Sequence, residues 1–172
     1  MAPELTDGVV VLSALTVDDA PALVAGEDDE LVRRLTGGRS TLATAERYIG
    51  ACAVDWHRRG PTLSWGIRAE VGGALAGTVD VALRFPELGP GAANVSYGVF
   101  PHWRGRGFAA RAVELVCEYL AAESPASSAV LRIDRDNAAS LRVAERCGFR
   151  PAQHLAPAGA SMRWFVRDLG PA

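Results

Sequence analysis

Apolar and polar side chains alternate along the chain with a period that changes several times, and each change predicts an element. From Thr62 to Leu83 the period is two: Leu63, Trp65 and Ile67 alternate with Ser64, Gly66 and Arg68, as in a strand with one buried face. Gly72 and Gly73 interrupt that run, so it predicts an antiparallel hairpin. Beyond the Gly- and Pro-rich loop around Pro86 to Gly91, Asn94 to Phe100 predicts another strand, ended by Pro101, and Ala129 to Ile133 a short one. Elsewhere the period lengthens. Tyr48, Cys52 and Trp56 recur at every fourth position of a helix from about Thr44 to Arg59. Ala109, Val113, Val116 and Leu120 share one face of a helix from about Gly107 to Ala122.

The remaining segments complete the order. Val9 to Leu15 is rich in β-branched residues and predicts a first strand, after which Thr16 and Asp19 form a capping box for an alanine-rich helix. Asp28 to Leu35 predicts a short helix that Gly37 and Gly38 break, and Asn137 to Cys147 a helix capped by Gly148. Phe149 onward and Ser161 to Leu169 supply two final strands. Strand, helices, three strands, helix, strand, helix and two strands imply an α/β (α+β) fold, a mixed sheet covered by helices. No repeat or long linker divides it, so residues 1–172 are expected to form one domain.

Composition narrows the function classes. With 49% hydrophobic and 22% charged residues the chain is neither disordered nor fibrous. A formal charge of -2 and a pI near 5.9 give no field that would attract a polyanion, so nucleic acid is not an expected partner. No run reaches the roughly 18 apolar residues of a membrane span, and no positively charged start precedes an apolar run at the N-terminus, so neither membrane insertion nor export is expected. Cys52, Cys117 and Cys147 form an odd set without a CxxC pair, which suits buried, reduced thiols and a cytoplasmic location. Without CxxC or HxH spacing, no metal is expected.

Chemistry concentrates first in Pro101-His102-Trp103-Arg104-Gly105-Arg106-Gly107-Phe108-Ala109, between a strand and an amphipathic helix. Helix-opening amides without partners suit a phosphate. Gly105 and Gly107 remove the Cβ atoms that would hold a ligand away, and Arg104 and Arg106 can add charge-assisted bonds to a diphosphate. The same residues also read as a tight bend with solvated arginines. The loop lacks the Gly-Lys-Ser/Thr of a Walker motif, and the chain does not open with a GxGxxG dinucleotide fingerprint.

A second block follows at Asn137-Ala138-Ala139-Ser140-Leu141-Arg142-Val143-Ala144-Glu145-Arg146-Cys147-Gly148-Phe149. Together the two blocks resemble the Gcn5-related N-acetyltransferases (GNAT), in the branch of the RimJ/RimL-type enzymes that acetylate ribosomal-protein N-termini. Arg104-x-x-Gly107-x-Ala109 is similar to that superfamily's acyl-CoA pyrophosphate loop, Asn-x-x-Ser followed by Gly-Phe to the branch's later block, and Val95 to Val99 to its central strand. The likeness spans nearly the whole chain and is strongest from Asn94 to Phe149.

The resemblance implies a mostly antiparallel sheet whose one parallel pair, Asn94 to Phe100 and Ala129 to Ile133, splays apart to admit the pantetheine arm of acetyl-CoA. Val99 and Phe100 would supply the free edge, and Arg104, Gly105, Arg106, Gly107, Phe108 and Ala109 the pyrophosphate site. Asn137 would bond the cofactor arm, though asparagine is also a preferred helix N-cap. Ser140 would assist the leaving thiolate, against the plainer role of a helix-surface hydroxyl bonded to its own backbone. The implied reaction is direct attack of a primary amine, from a protein N-terminus or a small molecule, on the acetyl thioester, with an amide near Val99 stabilising the oxyanion.

Several residues keep two readings. Tyr97 either packs in the core or reaches the reacting centre with its hydroxyl. His102 belongs to the loop edge, and His57 and His154 read as structural or exposed. Asp80 and Glu70 are carboxylates able to draw a proton through water, with nothing to select between them. Glu27-Asp28-Asp29-Glu30 is either a solvated run or an attractor of cationic amines. A non-catalytic acyl-CoA sensor, or a generic anion nest, competes with the enzyme. A homodimer is compatible with the sequence but not specified by it.

Overall fold

The computed structural model describes residues 1–69, 73–85 and 89–170. In chain order the strands are β1 (Leu5–Thr6), β2 (Val11–Ser13), β3 (Thr62–Arg68), β4 (Leu75–Ala82), β5 (Ala92–Val99), β6 (Ser128–Ile133), β7 (Arg150–Pro151) and β8 (Arg163–Asp168). The helices are α1 (Ala20–Gly26), α2 (Asp29–Leu31), α3 (Leu42–Arg58), α4 (Phe108–Glu123) and α5 (Ala138–Arg146). The strands form one sheet in the order β1-β2-β3-β4-β5-β6-β8-β7, antiparallel throughout except for β5 beside β6.

Cross-strand register sorts the two faces. Trp65, Val79 and Tyr97 lie in one row, and Ser64, Asp80 and Ser96 in the next. On the first face Trp65, Ile67, Val79 and Val81 are fully buried and pack with Val113, Val116 and Leu120 of α4 in the main core. The second face meets the early helices, where Leu31, Ile49, Cys52 and Phe100 form a separate cluster. The sheet is therefore a wall with the α4–α5 layer on one side and α1–α3 on the other.

The expected capping box at Thr16 and Asp19 is present. Gly148 takes a left-handed φ of 71°, with Phe149 N–H donating to the Ala144 carbonyl and Gly148 N–H to that of Glu145, a Schellman motif that ends α5. Three elements depart from expectation. The strand expected over Val9 to Leu15 shrinks to Val11–Ser13, because Asp7 Oδ1 accepts from the Val9 and Val10 amides and turns the chain back onto β1, a strand the pattern did not announce. The helix expected over Asp28 to Leu35 is one α turn followed by a π turn, Val32–Thr36. The strand from Phe149 reduces to Arg150–Pro151, since proline cannot donate to a ladder. Glu70, Gly72 and Pro86 lie outside the described residues.

Candidate active site

β5 and β6 keep register through Ala92 with Ser128, Ala93 with Ala129 and Asn94 with Val130, and then part. Side chains brace the vertex: Arg132 Nε donates to Asn94 Oδ1 at 2.9 Å, and its guanidinium lies 4.1 Å from the centre of the Phe85 ring. In an antiparallel ladder successive residues direct their main-chain groups to opposite sides. The Phe100 amide donates to Ala76 of the chain's preceding strand at 2.8 Å, so Gly98 and Ser96 also face β4, whereas Tyr97 and Val99 face the gap. The free edge is thus the Tyr97 main chain and the Val99 amide, since the Val99 carbonyl accepts from Arg104 Nε. Phe100, expected to share it, has its amide committed to Ala76 and its ring buried against Gly26.

The gap opens a cavity of about 500 Å³ that reaches both faces of the sheet. That volume lies within the range of small-molecule and cofactor sites. One end is the loop before α4. Gly105 and Gly107 have φ of 76° and 79°, a left-handed backbone that glycine tolerates, and a Cβ at Gly105 would meet nothing within 4 Å. Gly107 is the N-cap of α4 and supplies no side-chain acceptor, so the opening amides of this 16-residue helix remain available to an anion. Trp103 stacks on Phe108, with centroids 5.6 Å apart, and Arg106 lies 5.0 Å over the Trp103 ring.

The α5 side of the cavity presents Asn137 and Ser140. Asn137 Oδ1 accepts from the Ser140 amide at 3.1 Å, so its oxygen caps α5 while its amide nitrogen has no partner among the described residues. Arg142 and Arg146 of α5 also line the cavity, and Arg146 Nη1 lies 3.7 Å from where a Cβ on Gly107 would sit. Among the described residues neither guanidinium engages a carboxylate.

Ion pairs cross the other side of the mouth. Arg104 Nη1 and Nη2 donate to Asp28 at 2.7 and 3.0 Å, and its Nε donates to the Val99 carbonyl at 3.0 Å. This partner holds the Asp28 carboxyl down at about 2. Arg34 binds Glu30, Asp134 and Asp136 at 3.1, 2.8 and 3.1 Å. Leu31 and Leu35 press directly on Gly98, where a Cβ would stand 2.8 and 2.6 Å from their methyls. The segment from Asp28 to Thr36 is thereby strapped between the α4 loop and the end of β6.

Asp80 does not line the cavity among the described residues. It accepts from Tyr48 Oη at 2.9 Å on the α3 face, and burial pushes its carboxyl pKa up, against the hydrogen bonds from Ser64 and Tyr48. The acidic run is not simply solvated: Glu27 accepts from Ser40, Asp28 from Arg104 and Leu31, Asp29 from Arg39, and Glu30 from Arg34.

These features coincide with a family. A model described as an acetyltransferase (GNAT) domain matches residues 10–150, well over half of the chain. The chain belongs to the GNAT acetyltransferase family. Acetyl-CoA is accordingly its acetyl donor, and the fold is the mixed sheet with one opened parallel pair that its motifs imply. No curated protein sequence matches it. Among solved structures, RimL, a ribosomal alpha-N-protein acetyltransferase in complex with coenzyme A, superposes with a TM-score of 0.78 at 17% identity, covering 96% of this chain and 98% of its own. Mycobacterium smegmatis RimJ, also solved with a CoA species, gives 0.76 at 18% identity, covering 96% and 86%. A GNAT-family protein from Bordetella pertussis gives 0.72 at 26% identity, covering 96% and 99%.

In this acetyltransferase the cavity gathers Val99, Arg104, Gly105, Gly107, Phe108, Ala109, Asn137 and Ser140. Phe100 and Arg106 stand outside its lining, one in the second core and one on the Trp103 face. Arg104 lines it through a guanidinium already turned to Asp28 and Glu30. His102 is exposed with its ring edge-on to Trp103. Sequence reasoning missed Arg142, Arg146 and the two leucines on Gly98. The arginines carried a signal, lying four apart in the block that holds Ser140.

Proposed function

We propose that this GNAT acetyltransferase acetylates a primary amine, at a protein N-terminus or on a small molecule, by direct attack on the thioester in the β5/β6 gap. The residues present suit the donor. The gap-facing main chain of Tyr97 and the Val99 amide offer a ladder to an extended arm, and unpartnered α4 amides beside Gly105 and Gly107 offer a diphosphate cradle. Arg146 at Gly107 adds positive charge to that cradle, and Asn137 lines the same space. The acetyl thioester supplies the activated carbonyl. Held near Val99 N–H, that carbonyl would have its developing negative charge stabilised by a fixed donor, while Ser140 donates to the departing sulfur. The acceptor would enter from the α2 side, between the strap and Ser96. We assign the reaction to the cytoplasm and treat residues 1–172 as one catalytic unit.

The observation that carries this reading is the opening of the one parallel pair after Asn94 and Val130, next to a glycine-lined helix start. Its test is thiol release from acetyl-CoA with two acceptor panels, peptides with free α-amines and small diamines or polyamines. Release with members of one panel, absent from the same peptides N-terminally blocked or the same amines acylated, is expected. Release from neither panel at any enzyme concentration would overturn the amine-acceptor reading.

A further inference from the structure

Tyr97 carries the one buried side-chain polar atom without a hydrogen-bond partner among the described residues. A buried hydroxyl without a partner forfeits the hydrogen bonds it made to water, so such a group calls for an explanation. Tyr97 stands on β5 in the row of Trp65 and Val79, the face covered by α4 and α5, and it lines the gap cavity. The groups acting on its phenol come from α5 and its end: burial pushes its pKa up to about 12, the Ser140 hydroxyl opposes this, and Cys147 adds to it. Tyr97 Oη and the Ser140 hydroxyl are thus neighbours that do not meet in full hydrogen-bond geometry, and the Ser140 amide is held by Asn137. Cys147 is a poor partner, since its thiol donates to the Ala110 carbonyl and a thiol sulfur is only a weak acceptor.

We propose that Tyr97 is a positioning residue for acetyl transfer: its hydroxyl donates to Ser140 Oγ, fixing the Ser140 proton on the sulfur of CoA. The inference rests on the acetyltransferase reading of the gap and on Ser140 facing the sulfur. In the transfer the amine nitrogen bonds to the acetyl carbon, the carbon–sulfur bond breaks, and sulfur keeps the electron pair. Ser140 O–H donates to that sulfur, the amine proton passes to water, and Tyr97 keeps its own proton throughout. A serine hydroxyl is a free rotor. A donor aimed at its oxygen leaves its hydrogen one productive direction, and the phenol gains the partner it otherwise lacks.

The test needs no acceptor, because a hydrogen bond to the bound thiolate lowers the pKa of the CoA thiol. That pKa is read by the ultraviolet absorbance of the thiolate with CoA bound to the wild-type chain, Tyr97→Phe, Ser140→Ala and the double variant. Tyr97→Phe keeps the ring, and CoA affinity close to the wild type verifies that the site is intact. Each single variant is expected to raise the thiol pKa by about one unit, and the double variant no further than Ser140→Ala alone. Ser140→Thr, which keeps the hydroxyl, is expected to restore the wild-type value. An unchanged thiol pKa in Tyr97→Phe, with Ser140→Ala shifted, would overturn the role of Tyr97 while leaving Ser140 in place. Full additivity in the double variant would overturn the coupling. An unchanged value in Ser140→Ala would instead remove Ser140 from the sulfur, and this inference with it.

Discussion

A Cβ added at Gly77 would stand 2.0 Å from the Gly98 carbonyl oxygen, whereas one added at Gly98 would meet only leucine methyls, at 2.6 and 2.8 Å. Backbone in the middle of a sheet cannot yield, but the tips of Leu31 and Leu35 can turn. Gly77→Ala should therefore cost more than about 2 kcal/mol in urea unfolding, and Gly98→Ala about 1 kcal/mol or less. Equal losses in the two variants would contradict that distinction. At this scale the sequence was readable where backbone conformation demands a residue type. Gly105 and Gly107 are the left-handed positions their loop required, and Asn137 is the cap that its place before an apolar run suggested. Phe100 was misplaced because alternation sets which amides face the gap, and parity depends on where the ladder starts. Arg146 was passed over because an exposed arginine on a helix resembles any solvated one until the fold brings Gly107 beside it.

The elements were legible wherever a single period ran for several residues. α3, α4 and the β3–β4 hairpin fall within a few residues of their expected limits. The strap from Asp28 to Thr36 was not legible as a strap. Its ties join Arg104 to Asp28 and Arg34 to Asp134, partners 76 and 100 positions apart, and no local pattern carries such pairs. Those ties make a pH prediction. Arg104 lowers the Asp28 pKa from 3.8 to about 2, so the folded chain binds fewer protons there than the unfolded chain. Its contribution is fully present above pH 3.8 and is lost as pH falls through about 2. Both side chains are about one-third exposed, so solvent screening keeps the contribution small. Relative to the intrinsic rate at each pH, amide protection in α2 should hold on acidification to pH 3.8 and fall modestly below it, and Asp28→Asn should show that reduced protection already at neutral pH. Unchanged neutral-pH protection in that variant would show that Leu31 and Leu35 hold the strap without the ion pair.

At the scale of the molecule, the order of strands and helices was enough to indicate a helix-covered mixed sheet, and two short blocks pointed to its use. The acceptor was not legible, because the surface proposed to select it is built from the strap and the end of β6, which only the fold brings together. All 18 basic side chains are arginine and none is lysine, so the enzyme offers acetyl-CoA no side-chain amine of its own. Acetyl counts in an acceptor screen thus report the acceptor rather than modified lysines of the enzyme. The central claim is that two strands part beside a glycine-lined helix start so that backbone groups can hold a CoA thioester. Calorimetric titration with acetyl-CoA, on the wild-type chain and on Gly107→Glu, tests it most directly. Saturable binding of one molecule per chain, weakened at least about tenfold by the carboxylate while the melting transition persists, is the predicted result. Failure of the wild-type chain to bind acetyl-CoA, or equal affinity in the two proteins, would contradict it.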